Sequence, residues 1–161
     1  MPGRWLRVRL SAQELDLLED ARVLACFPIS TAAKGAGECL GSEQTPRGRH
    51  AVREMIGAGA PMNAVFVGRQ PTGELYTPEL PAANPRRDWI LSRVLWLDGL
   101  EEGRNRGGEV DTLARYIYIH GTPDDEPMGV PHSHGCIRMR NEDVVALFEA
   151  VGVGTLVEIV E

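Results

Sequence analysis

Lysine is almost missing from this chain: of 17 basic residues only Lys34 is a lysine, and the basic residues are outnumbered by 23 acidic ones, leaving a net charge of −6. A nucleic-acid binder that works by charge is disfavoured, because it would need a basic excess to displace counterions. Cysteine is scarce too. Cys26, Cys39 and Cys136 cannot form a fully paired disulfide framework, and they suggest a reducing compartment or one thiol kept for chemistry. Long apolar runs are also lacking. The longest uncharged apolar stretch lies around Val23–Ile29, far short of the roughly 20 apolar residues needed to span a bilayer. Met1–Ser11 carries Arg4, Arg7 and Arg9 where a signal peptide would need a hydrophobic core, so no secretory signal is visible. The expectation is a soluble, cytoplasmic protein, with a periplasmic or wall-facing location as the alternative.

What is present is one domain's worth of chain: 161 residues, 43% apolar, with 18 Gly and 11 Pro. Short alternating runs separated by Gly, Pro and Asp predict an all-β core. Leu15–Leu18 and Val23–Ser30 read as a hairpin around Glu19-Asp20-Ala21-Arg22. Ala51–Ile56, Ala64–Val67 and Ile90–Leu97 read as further strands. Tyr116–His120 alternates so that Tyr116, Tyr118 and His120 share one face, and His120 is expected to end that strand. Val144, Leu147, Phe148 and Val151 fall at helical spacing, with Asn141 as N-cap, Glu142 and Asp143 in the first turn, and Gly152 or Gly154 as the stop. Thr155–Glu161 closes the chain as a strand with Leu156, Ile159 and Val160 apolar. Gly68–Asp88 and Gly99–Asp111 read as long loops, and loops of that length are usually functional.

Three of the four histidines and one of the three cysteines, namely His120, His132, His134 and Cys136, fall within seventeen residues. A thiol is a useful nucleophile only as thiolate, and a nearby imidazole can take its proton, which is expected to lower the thiol's pKa. Gly135 removes a side chain just before Cys136, so a carbonyl can approach the backbone and the local amides can serve as an oxyanion hole.

His120-Gly121, followed sixteen residues after the histidine by Cys136 within Ser133-His134-Gly135-Cys136-Ile137-Arg138-Met139, resembles the signature of the L,D-transpeptidase (YkuD-type) catalytic domain. Ile29-Ser30-Thr31, then Gly35 and Gly37, and Thr45-Pro46-Arg47-Gly48 resemble its early segment. The helix from Asn141 and Gly154–Ile159 fit its carboxyl end, so the resemblance runs from about Ser11 onward. It implies a mainly β fold, a β-sandwich with one C-terminal helix and long loops around a cleft, and a single catalytic domain over 1–161.

The resemblance also implies roles. Cys136 would attack the carbonyl of the third residue of a peptidoglycan stem peptide, expelling terminal D-Ala and forming a thioester. His120 would be base and acid, oriented by the Gly121 carbonyl in place of an acidic triad member. The Gly135 and Cys136 amides would hold the oxyanion. Arg138 would contact a substrate carboxylate through its guanidinium fork. Ser133 would support the cysteine loop on the substrate side, as a turn hydroxyl rather than a second nucleophile. His134 would either stand beside the nucleophile or hold the loop. Carbapenem-type inhibitors would add to Cys136.

Cys26, Cys39, His132 and His50 read as structural or ordinary polar residues. Trp89–Asp111, with Arg93, Trp96, Arg104, Asn105, Gly107 and Gly108, could form a second wall of the cleft, or simply a packed strand and a solvated loop. A zinc site built on His120, His132, His134 and Cys136 is the main rival. Its His-x-His-x-Cys spacing fits no derived ligand pattern, so no metal or cofactor is expected. A domain that binds wall fragments without turning them over is the rival of another class. For the thioester's fate the expectation is water, an L,D-carboxypeptidase acting on muropeptides, with transfer to an amine for cross-linking as the alternative.

Overall fold

The computed structural model describes residues 3–161, whose elements run β1 (Arg4–Arg9), β2 (Glu14–Glu19), β3 (Arg22–Ser30), β4 (Gly48–Ile56), β5 (Ala64–Val67), β6 (Gln70–Leu75), α1 (Glu79–Ala83), β7 (Ile90–Gly99), β8 (Tyr118–Thr122), β9 (Ile137–Arg140), α2 (Asn141–Ala150) and β10 (Leu156–Val160). The strands form one sheet in the order β4-β10-β1-β2-β3-β9-β8-β7-β5-β6, and β4 also pairs with β7. The mainly β fold is therefore as expected, but the sandwich is a sheet rolled round until it meets itself, with the β5–β6 hairpin standing off β7. Closure leaves the strands of the ring without a free edge at that seam. Among the described residues no helix is long and apolar enough to cross a membrane.

The ring's interior is the main core. Leu6, Val8, Leu15, Ile29, Leu95, Leu97, Ile119, Ile137, Met139, Val157 and Ile159 are essentially inaccessible, and α2 contributes Val144 and Leu147 to the same cluster. Burial of such side chains contributes about 1.5–3 kcal/mol each. A smaller cluster of Ala64, Phe66, Val94 and Tyr118 lies on the other face. Side chains along β8 and β9 alternate between the two: Ile119, Ile137 and Met139 point to the main core, while Tyr118, His120 and Arg138 point away from it.

Several expectations change. Arg4–Arg9 is a strand, paired parallel with β10 and antiparallel with β2, because Leu6 and Val8 face the core while Arg7 and Arg9 alternate outward. The fold thus begins earlier than Ser11. The stretch Gly68–Asp88 is not plain loop: it holds β6 and α1, and the Gly68-Arg69 turn, both residues at positive φ, makes the tight hairpin that matches strand twist. Gly99 still belongs to β7, and the stretch from Leu100 to Asp111 stays irregular apart from an isolated Glu102–Arg106 bridge and a short 3-10 turn at Gly108–Val110. Tyr116 lies outside the strand at φ +55°, and β8 continues to Thr122, so His120 sits in mid-strand. In β10 the buried positions are Val157 and Ile159, with Leu156 and Val160 half-buried. α2 ends at Ala150 with Val151 extended; Gly154, at φ +91°, serves the following turn instead. Asn141 is the helix's first residue and its side chain makes no cap, because it is engaged elsewhere.

Candidate active site

β8 and β9 run parallel, with His120 directly opposite Arg138. Cys136 immediately precedes β9, on the same outward face. Its Sγ accepts a hydrogen bond from the Tyr118 amide at 3.3 Å and donates to the Tyr116 carbonyl at 3.5 Å. Burial pushes the thiol up to about 12, an effect opposed by the Tyr118 amide and by the charges of Arg138 and Arg115. The thiol is therefore protonated at rest, the reverse of the lowered pKa expected from histidine alone, because desolvation outweighs every local donor.

His120 is fully buried and its Nδ1 lies 2.6 Å from the Gly121 carbonyl. A carbonyl can only accept, so Nδ1 carries the proton and Nε2 is the basic atom. Nε2 has no hydrogen-bond partner among the described residues, an omission that costs about 1–3 kcal/mol in a buried group. Burial also holds the ring's pKa below its ordinary value, against the pull of Asp88 and the Gly121 contact. No hydrogen bond joins Nε2 to Cys136 Sγ. The pair is a neutral thiol and a neutral imidazole with an unused lone pair.

The cysteine loop is held from behind. Ser133 Oγ donates to the Cys136 carbonyl at 2.6 Å and accepts the Gly135 amide at 3.2 Å. Its hydroxyl is thus engaged at both donor and acceptor within the loop. The same bond occupies the Gly135 amide expected for the oxyanion hole. Thr45 Oγ1 donates to the Gly135 carbonyl at 2.9 Å and accepts the Ala32 amide. Ser30 Oγ bridges Val130 and His132. Gly135 itself, at φ +132°, leaves no room for a side chain without pressing on the Gln44 carbonyl and Ile117. The Gln44 carbonyl is in turn fixed by Arg115 at 2.6 Å.

Beside the loop lies a cleft of about 430 Å³ whose lining includes Arg86, Asp88, Trp89, Glu126, His134 and Arg138. Arg138 is largely buried and already paired, with Asp88 at 3.2 Å and Glu126 at 3.9 Å, and its Nε is unsatisfied. A substrate carboxylate would have to share it with two resident carboxylates. Arg87 pairs with Glu74 and lies over Trp89 at 4.4 Å, which leaves Arg86 as the exposed guanidinium of the cleft with no partner among the described residues. His134 is exposed on the cleft rim, and His132 is exposed outside it. Among the described residues no three His, Cys, Asp or Glu side chains converge as metal ligands. Of the proposed second wall only Trp89 lines the cleft. Arg93 turns to the Ala60 and Ser92 carbonyls, and Asn105 ties down the Arg47 and Arg49 carbonyls.

On the other side of Cys136, Arg69 stacks over Trp96 and Tyr116, 4.7 and 5.0 Å from their ring centroids, and donates to the Tyr118 hydroxyl at 3.0 Å. Sequence reasoning missed Arg69, Asp88, Thr45, Arg115 and Asn141. None sits in a motif that carries chemistry, and only Asn141 gave a signal, which read as a helix cap. Cys26 and Cys39 are exposed. His50 is buried as a strut between the Gly48 carbonyl and Thr112 Oγ1.

A mostly β ring with a half-buried cysteine and a buried histidine on its outer face, beside a charged cleft, defines the class. The family model for the L,D-transpeptidase catalytic domain matches residues 3–159, and the chain belongs to that family. It is 47% identical over 49 residues to the protein named Probable L,D-transpeptidase YbiS of Escherichia coli (strain K12), a match covering 30% of this chain and 16% of that protein. Its fold is similar to that of L,D-transpeptidase 3 from Mycobacterium tuberculosis in complex with a faropenem-derived adduct, with a TM-score of 0.62 and 18% identity over 99% of this chain and 61% of that one. It is also similar to LdtMt1 in complex with imipenem, with a TM-score of 0.59 and 19% identity over 98% of this chain and 59% of that one. The chain thus spans less than two thirds of each of these relatives.

Proposed function

We propose that this domain cleaves peptidoglycan stem tetrapeptides between the third residue and the terminal D-Ala through a thioester on Cys136, and passes the acyl group to water. The observation that carries the reading is the neutral His120, its Nδ1 proton committed to Gly121 and its Nε2 unpartnered, on the same face as Cys136. As the sulfur–carbon bond forms, the thiol proton moves to Nε2. The carbon–nitrogen bond then breaks, and the imidazolium returns that proton to the departing amine of D-Ala. Water attacks the thioester with Nε2 again taking a proton, giving the tripeptide carboxylate and free thiol. Keeping thiol and imidazole neutral until substrate arrives avoids burying an ion pair at rest. Arg86 and Arg138 are the groups that would meet substrate carboxylates in the cleft.

Hydrolysis is favoured over transfer by one feature. Arg69 stacks over Tyr116 and bonds the Tyr118 hydroxyl, the two residues whose backbone groups hold Cys136 Sγ, and on this reading an amine acceptor as large as a second stem would meet it where water would not. Incubation with disaccharide tetrapeptide, with and without an amine acceptor, followed by mass spectrometry, tests this. Tripeptide and free D-Ala are expected; ready formation of cross-linked dimers without tripeptide would overturn the hydrolytic reading. The imipenem complex of LdtMt1 and the faropenem-derived adduct of the mycobacterial enzyme support the expectation of a covalent carbapenem adduct on Cys136, measured as intact mass.

A further inference from the structure

Asn141 is 1% exposed and stands at the junction of β9 and α2. Its Nδ2 donates to the Thr122 carbonyl at 2.9 Å, to Asn63 Oδ1 at 3.0 Å and to Asp124 Oδ1 at 3.1 Å, two hydrogens shared among three acceptors. Its Oδ1 accepts from Ser92 Oγ at 2.7 Å, and Ser92 Oγ in turn accepts the Asn63 amide at 2.9 Å. Ser92 and Asn63 both sit at positive φ, +70° and +71°, in a backbone region that non-glycine residues avoid and that persists only where the surroundings over-determine it.

The amide also touches the histidine's support. A Cβ placed on Gly121 would lie 2.5 Å from Asn141 Oδ1 and 2.5 Å from the Leu91 carbonyl, so the Asn141 side chain rests on the Gly121 backbone itself. One residue on, it holds the Thr122 carbonyl. The Gly121–Thr122 peptide is therefore flanked by two contacts from one side chain, at the Gly121 Cα and at the carbonyl of the next peptide, and its own carbonyl is the one that accepts from His120 Nδ1.

We propose that Asn141 is a positioning residue for the acid–base histidine: its side chain fixes the Gly121–Thr122 peptide and so holds the Gly121 carbonyl where it selects the tautomer and ring orientation of His120. The proposal rests on the reading of His120 as base and acid. It gives a use to a polar residue that the sequence reads only as a helix cap. It also accounts for the two left-handed residues that converge on one amide.

Asn141→Asp keeps the shape and removes the Nδ2 donor; Asn141→Ala removes both functions; Ser92→Ala removes the bond to Oδ1 and the acceptor of the Asn63 amide but leaves the grip on Thr122. Each purified chain is followed by thermal unfolding, by nitrogen NMR of the His120 ring, by the rate of Cys136 alkylation with iodoacetamide, and by kcat and KM on disaccharide tetrapeptide. A folded Asn141→Asp or Asn141→Ala is expected to lose about tenfold or more in kcat with KM within about threefold, and to show a mixture of ring tautomers and slower alkylation. Ser92→Ala is expected to keep the wild-type tautomer signature. If the Asn141 variants melt earlier while the ring signature and the kcat of folded protein stay within about twofold of wild type, the residue is merely structural and the proposal fails. Should neither Asn141 variant fold, loss of the wild-type tautomer signature in Gly121→Ala supports the same clamp, and its retention overturns it. Failure of the wild type to cleave tetrapeptide would end the functional reading instead, because the ring signature and alkylation need no substrate.

Discussion

His50 and His120 are both wholly buried, and each holds its Nδ1 against a backbone carbonyl, Gly48 at 3.0 Å and Gly121 at 2.6 Å. They differ at the other nitrogen. Nε2 of His50 meets Thr112 Oγ1 at 3.0 Å, whereas Nε2 of His120 meets no partner among the described residues. A buried polar atom without a partner costs stability, and folding tolerates it here on the face that also carries the half-buried Cys136. Satisfaction makes a strut of one imidazole, and its absence leaves the other free to act as a base. The difference lies in the neighbours, since the two rings are chemically the same.

The widest gap between the two sites should come from the nucleophile. Cys136→Ala is expected to abolish thioester formation and nearly all turnover, read as product by mass spectrometry, whereas a non-catalytic binder would be unaffected in its binding. His120→Ala should follow, with kcat lower by about 10²–10⁴-fold and the protein still folded. His50→Ala reverses the pattern: kcat of folded protein stays within about twofold, while denaturant unfolding reports a loss of about 2–4 kcal/mol from the cavity and the orphaned Thr112 and Gly48 groups. Loss of activity without loss of stability in the His50 variant would break the comparison.

Acid separates the two rings more finely. Burial lowers the His50 pKa from 6.5 to about 4, so the unfolded chain binds a proton there that the folded chain refuses. Stability from this group is complete above about pH 6.5 and falls as pH drops toward 4, by about 3 kcal/mol in all. His50→Gln should flatten that part of the stability curve. His120 also has a lowered pKa and must be neutral to accept a proton, so turnover should persist below pH 6.5 and fail only where the ring protonates. The smallest effect is expected at Arg69. Arg69→Ala should shift products toward amine transfer by about a fewfold without lowering total acylation, measured as the dimer-to-tripeptide ratio with an acceptor present. An unchanged ratio would remove the support for hydrolysis that its stacking offers.

The motif residues were legible because they are local. His120-Gly121 and Ser133–Met139 are contiguous segments, and the alternation in Tyr118–His120 is enough to put the ring on its face. Strands with clean alternation, such as Ala51–Ile56, were legible for the same reason. Arg4–Arg9 was not, because its inward pair Leu6 and Val8 is flanked by arginines that read as a surface, and only pairing with β10 and β2 makes it a strand. Asn141 read as a cap because caps and buried amides use the same residue type. Its real partners come from Asn63, Ser92, Thr122 and Asp124, which are distant in sequence.

The sequence by itself determined the chemistry on offer: one cysteine set apart by its glycine and histidine neighbours, a histidine followed by glycine on a strand, a mainly β chain, and family membership. Tertiary structure alone decided the state of those groups. It raised the thiol by burial, fixed which nitrogen of His120 is basic, used Ser133 and the Gly135 amide within the loop, paired Arg138 with Asp88 and Glu126, and made His50 a strut. The physical reason is that a pKa, a tautomer or an unmet hydrogen bond belongs to an environment, and that environment is assembled from strands far apart along the chain.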